Sequence, residues 1–204
     1  MEKIDGLVCP DPEKVPVSIK REQKYLSQMK KNILLVTGLF LYIASCQAQA
    51  FFSEQDSGKS FPLVNLAAAP ILTDPHDFEL VGIAASLFQQ DIEKVSGKKP
   101  MLENKIPHEK NIILIGSVQK SSFIQKLIAS KKLPVDKIKN QWEAYHIQVI
   151  NNPFPGVERA LVIAGSDRRG TAYGVFELSR QMGVSPWYWW ADVPVKTKKT
   201  IFLD

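Results

Sequence analysis

The stretch with the most concentrated chemistry is Val184-Ser185-Pro186-Trp187-Tyr188-Trp189-Trp190-Ala191-Asp192-Val193-Pro194. It holds three of the four Trp within four residues, with a carboxylate two positions later. Aromatic faces stack on the apolar C–H faces of sugar rings, and carboxylates accept from sugar hydroxyls. Trp187, Tyr188, Trp189, Trp190 and Asp192 therefore suit a carbohydrate site. The same rings also suit a wedge against a neighbouring domain, and both readings make the segment face something outside its own domain. Arg168 and Arg169 stand where a helix is expected to begin. There they can bind an anion beside outward-pointing N–H groups or pair with local acids.

Other candidate chemistry falls away on spacing. Ser57-Gly58-Lys59-Ser60 resembles the end of a phosphate-binding loop, but Ser53 stands where that loop needs its first Gly, and the preceding strand is missing. Gly165, Gly170 and Gly174 are five and four residues apart rather than the two and three of a dinucleotide fingerprint, so Gly170 and Gly174 are expected to let a helix lie close on a sheet. His76, His108 and His146 have no partner at a zinc-site spacing, and Asp74-Pro75-His76-Asp77 reads as helix capping. Ala164-Gly165-Ser166-Asp167-Arg168 carries Arg where a seryl-hydrolase elbow needs its second Gly. No metal, cofactor or nucleophile is expected.

The elements that must position these residues belong to an ordinary globular chain. Of its 204 residues 45% are apolar and 23% charged, with 11 Gly, 13 Pro and two Cys. These values exclude disordered, collagen-like and disulfide-stapled classes. The net charge of +5 falls to +3 over residues 51–204, with 19 basic against 16 acidic side chains. So mild an excess gives no reason to expect nucleic acid as a partner.

Met29-Lys30-Lys31 followed by the thirteen-residue apolar run Ile33–Ser45 has the form of a secretory signal, too short for a spanning helix. Ala48-Gln49-Ala50 offers a small-x-small site with cleavage after Ala50, while Ile43-Ala44-Ser45-Cys46 offers a lipobox with lipidation at Cys46. No permanent membrane span is expected. The chain is expected to be exported, to the periplasm or the cell exterior, or held as an outer-membrane lipoprotein through Cys46. Residues 1–28 would be an upstream extension, with Met29 the true start. With Cys9 and Cys46 as the only cysteines, cleavage after Ala50 leaves no thiol in the exported part.

Residues 51–60 read as a linker. A strand is expected over Leu66–Leu72, feeding a helix capped by Asp74 or Asp77 whose apolar face is Leu80, Ile83, Ala84, Leu87, Phe88, Ile92 and Val95. Asn111–Gly116 is a strand covered on both faces, and Phe123, Ile124, Leu127 and Ile128 share one side of a second helix. Tyr145–Val149 and Ala160–Ala164 are expected to form a hairpin, and Asp167 to cap a third helix with Ala172, Val175, Phe176, Ser179 and Met182 on one face. The order implies an α/β (α+β) domain over 61–195: a mixed sheet of about four to five strands with helices packed on it.

Two segments together, Gly165-Ser-Asp-Arg-Arg-Gly-Thr-Ala-Tyr-Gly-Val-Phe-Glu-Leu-Ser179 and Gly183-Val-Ser-Pro-Trp-Tyr-Trp-Trp-Ala-Asp-Val-Pro194, resemble the amino-terminal domain of glycoside hydrolase family 115, the xylan α-glucuronidases. A looser likeness extends to the second domain of β-hexosaminidases. The resemblance implies removal of (4-O-methyl)glucuronic acid from xylan-type polysaccharide by inverting hydrolysis, with two carboxyl groups roughly 6.5 to 9.5 Å apart. It implies that the catalytic machinery lies in a (β/α)8 barrel, which is this domain's expected partner. Residues 196–204 would begin the connection to that barrel, and the chain would be a fragment inactive alone. No catalytic residue is assigned. Trp187–Trp190 and Asp192 would face substrate, and Arg168 or Arg169 a glucuronate carboxylate. The alternative is a free-standing carbohydrate-binding module using Trp187 to Asp192.

Overall fold

The computed structural model describes residues 26, 28–31, 51–191 and 193–204, with only the backbone of Trp189 and Trp190. Cys46, Ala50 and Asp192 lie outside the described residues, as does most of the expected signal segment. The chain divides into units 1–49 and 50–204. In the first, residues 26 and 28–31 are helical. Among the described residues no helix is long and apolar enough to cross a membrane.

The second unit is built on two strands that are apolar through their middle, Ile112–Gly116 and Ala160–Gly165. β5 (Asn111–Ser117) and β7 (Arg159–Gly165) have six fully buried residues each. Successive side chains point to opposite faces, so such strands need cover on both. Ile113, Ile115, Leu161 and Ile163 enter one core with α1 (Glu79–Ser96) and α3 (Arg168–Met182). Ile112, Leu114, Ala160 and Val162 enter a second core with α2 (Ser122–Ala129), Leu133, Val135 and Phe154.

Around this centre the sheet runs β4-β3-β5-β7-β6. β3 (Ile71–Thr73) is parallel to β4 (Leu102–Glu103) and to β5, β5 is parallel to β7, and β6 (Tyr145–Asn151) is antiparallel to β7. The expected mixed sheet and hairpin are thus present. A second, antiparallel sheet has the order β1-β8-β2, from Phe52–Ser53, Ile201–Leu203 and Phe61–Val64.

Several local expectations change in the fold. Leu66–Leu72 is not one strand: the chain turns at Asn65–Ala67, leaving Leu66 94% exposed, Ala68 makes one isolated bridge back to Val64, and a strand of the main sheet begins only at Ile71. Three alanines and Pro70 lack the branched side chains that favour a ladder. Residues 51–60, read as a linker, supply β1, and 196–204 supply β8, because Phe52, Ile201 and Leu203 close the first core. On α1, Val81 and Ala85 are buried while Ile83 is half exposed, and on α3 Leu178 is buried while Phe176 is exposed. The apolar stripe on each helix is rotated from the one expected.

α3 ends at Gly183 in the left-handed region (φ 107°). Its Gly170 and Gly174 lie against the sheet as expected. A Cβ on Gly170 would stand 2.2 Å from the Ala144 carbonyl oxygen, and one on Gly174 would stand 2.9 Å from Ile163. Gly82 on α1 has open space around it. Gly170→Ala is therefore expected to destabilise by about 1–3 kcal/mol, and Gly82→Ala to stabilise by about 0.5–1 kcal/mol. Urea-denaturation midpoints of the two variants should move in opposite directions.

Candidate functional site

In open α/β sheets ligands bind at the carboxyl ends of strands, where neighbouring connections leave toward opposite faces. Here α1 follows β3 onto one face, α2 follows β5 onto the other, and α3 follows β7 back onto the first. Two such crevices result, β3/β5 and β5/β7.

The β3/β5 crevice is filled by the chain itself. Asp77 Oδ2 accepts from Ser117 N (2.7 Å) and Oδ1 from Ser117 Oγ (2.6 Å). Asp74 Oδ2 accepts from Ser122 N (2.7 Å) and Oδ1 from His76 N (2.9 Å). The pair expected to cap α1 instead joins β3 to β5 and to the first turn of α2. The cap position of α1 is Phe78, which makes no side-chain cap bond. Burial opposes the charge on Asp74, but the bonds from Ser122 and His76 outweigh it and hold the carboxyl below its ordinary value.

The β5/β7 crevice is open, with a cavity of about 470 Å³ lined by Gln119, Lys139, Asn140, Gln141, Trp142 and Asp167 among others. Trp142, the fourth Trp, is 81% exposed at its rim. Sequence reading missed this residue because it stands alone among polar neighbours. Its signal was the unpatterned run Lys137–Glu143, which belongs to no element. Below the cavity Asp167 caps α3 as expected: Oδ1 accepts from Gly170 N (2.7 Å), and Oδ2 accepts from Glu143 N (2.9 Å). Burial raises the Asp167 pKa, but these bonds, one from Arg169 and the Arg169 charge bring it below the usual value.

Arg169 donates to Glu143 Oε1 at 2.7 Å, so this arginine pairs with a local acid. Arg168 is exposed and makes no ion pair among the described residues. Trp187 lies beyond the other end of α3. A fifteen-residue helix is about 22 Å long, so the arginines and Trp187 do not grip one sugar residue together.

The Trp segment forms the short helix α4 (Tyr188–Ala191), started by Ser185, whose Oγ accepts from Trp187 N (3.1 Å) and whose carbonyl accepts from Tyr188 N (3.0 Å). Lys94 Nζ stands 4.9 Å from the Tyr188 ring centroid, a cation–π contact between α1 and α4. Trp187 is 65% exposed, and on α3 Tyr173 and Phe176 are also exposed. On α3 Arg180 holds Glu177 from Nε and Nη2 (2.9 and 2.6 Å), and with Gln181 it brings that carboxyl to about 2.

No family model matches the chain, and no curated protein does. Among solved structures it is similar to a family GH115 4-O-methyl-alpha-glucuronidase with specificity for decorated arabinogalactans, at 30% identity and a TM-score of 0.57. The match covers 69% of this chain and 17% of that one, so the chain spans well under a fifth of the enzyme it resembles. The likeness relates this domain to a part of a glycoside hydrolase.

Both Asp74 and Asp167 bind a proton less readily folded than unfolded. Their contribution to stability is complete above the ordinary Asp value of 3.8 and is lost as pH falls below it toward the folded values. Thermal midpoints are expected to hold from pH 7 to about 5 and then drop. Asp167→Asn, which keeps a capping oxygen, should flatten that drop. Asp167→Ala should cost about 1–2 kcal/mol at neutral pH.

Proposed function

We propose that this chain is the accessory domain of a family 115 α-glucuronidase. The enzyme would be a secreted hydrolase that removes α-linked (4-O-methyl)glucuronic acid from plant polysaccharide of the glucuronoxylan or decorated arabinogalactan kind. The carrying observation is the structural match at 30% identity, in which this fold makes up 17% of a chain that is an α-glucuronidase. The rest of such an enzyme would supply the catalytic barrel, and this domain would brace it. Tyr173, Phe176 and Trp187, large rings left exposed on α3 and at α4, support a packing face for that partner. Export through the Met29–Ala50 segment, ending by cleavage after Ala50 or lipidation of Cys46, belongs to the same proposal.

A second reading, a free-standing carbohydrate-binding module, draws on the exposure of Trp187. Domain exchange separates the two. The chain alone should release no uronic acid from glucuronoxylan. A family 115 enzyme whose corresponding domain is replaced by residues 51–204 should retain activity that deletion of the domain abolishes. Phe176→Asp in the chimera should lower its yield or thermal midpoint. Glycan binding by the isolated chain through Trp187, together with an inactive chimera, would transfer the assignment to the module.

A further inference from the structure

The open crevice at the carboxyl ends of β5 and β7 has a hydrogen-bonded floor and a rim of exposed side chains. Ser166 and Ala144 exchange hydrogen bonds there: Ser166 N donates to the Ala144 carbonyl (2.8 Å), and Ala144 N donates to Ser166 Oγ (3.0 Å). Glu143 is held at N by Asp167 and at its carboxylate by Arg169. Glu143 takes left-handed backbone (φ 55°), a conformation costly for a residue of its kind and held here by those bonds.

Above this floor the side chains of Gln119, Lys139, Asn140, Gln141 and Trp142 are exposed and make no hydrogen bond or ion pair among the described residues. One flat indole, three side-chain amides and one ammonium thus surround about 470 Å³, a volume suited to a few sugar rings. The indole offers a face for C–H stacking, and each amide both donates and accepts, as sugar hydroxyls require. The negative group at the cavity, Asp167, has both oxygens engaged by backbone N–H groups, whereas Lys139 makes no ion pair among the described residues.

We propose that this crevice is a saccharide-binding site selective for an acidic sugar, with Trp142 as the stacking platform and Lys139 as the partner of a uronate carboxylate. It is separate from Trp187, which lies beyond the far end of α3, and its evidence does not depend on the accessory-domain reading.

Calorimetric titration of the full chain tests the proposal, with xylo-oligosaccharides that carry 4-O-methylglucuronate and with unsubstituted ones of equal length as probes. The acidic oligosaccharide should bind saturably and more tightly than the neutral one. Trp142→Ala should weaken binding of both by at least about tenfold. Lys139→Gln should remove the preference for the acidic ligand and leave neutral binding in place. Gln141→Ala, remote from the buried core, should weaken binding with an unchanged circular dichroism spectrum, which separates loss of the site from loss of the fold. Absence of binding would overturn the proposal. So would binding unaffected by Trp142→Ala but lost in Trp187→Ala, or quenching of Trp142 by a catalytic barrel rather than by glycan. The chimera experiment reads none of these outcomes, so either idea can fail alone.

Discussion

The architecture depends on carboxylates placed where parallel strands end. A strand buried on both faces must hand its chain to a helix at its carboxyl end, and the backbone donors freed there need acceptors. Asp77 satisfies both donors of the fully buried Ser117, and Asp74 takes the first free N–H of α2. Asp167 does the same at α3 and also fastens the loop before β6. Three short acidic side chains therefore set where α2 and α3 leave the sheet and which crevice stays open. The place where another α/β protein would hold a phosphate is taken by Asp74 and Asp77.

Much of this was legible from residue types. The four consecutive branched residues Ile112–Ile115 require burial on both faces, and the structure divides them between two cores. The turn at 151–156 and the alternation from Tyr145 to Val149 specify the β6–β7 hairpin. Gly170 and Gly174 were readable as contact glycines because nothing else explains two of them on one helix. Tertiary competition was the harder part. Asp74 and Asp77 have the local pattern of a helix cap, yet their acceptors go to Ser122 and Ser117, 48 and 40 residues away. Sequence spacing carries no record of such distant donors. The apolar stripes of α1 and α3 were misjudged by about one position, because Ile83 and Phe176 match the periodicity and still face outward.

The candidate site was legible only in part. The Trp187–Trp190 cluster stands out by composition, but composition cannot show that α3 lies between Trp187 and the arginines Arg168 and Arg169. Trp142 gives no such signal, being a single aromatic residue in a polar run. Its importance arises from the loop that presents it, fixed by Asp167 and Ser166 from beyond the hairpin. A site made of dispersed residues on a rigid loop becomes visible only once the strands are paired.

The order β1-β8-β2 has a consequence for the timing of synthesis. β1 and β2 do not pair with each other; the strand each pairs with is β8, across about 140 to 150 residues of chain. At a translation rate of roughly 5–20 residues per second, Phe52 and Phe61 wait roughly 7 to 30 s before Ile201–Leu203 emerge to cover them. Through that interval the earliest part of the domain is the part with its aromatic rings exposed, so a holding factor or a slow export route would matter most there. The first core is thus closed by β8, on which β1 and β2 both depend for their ladder.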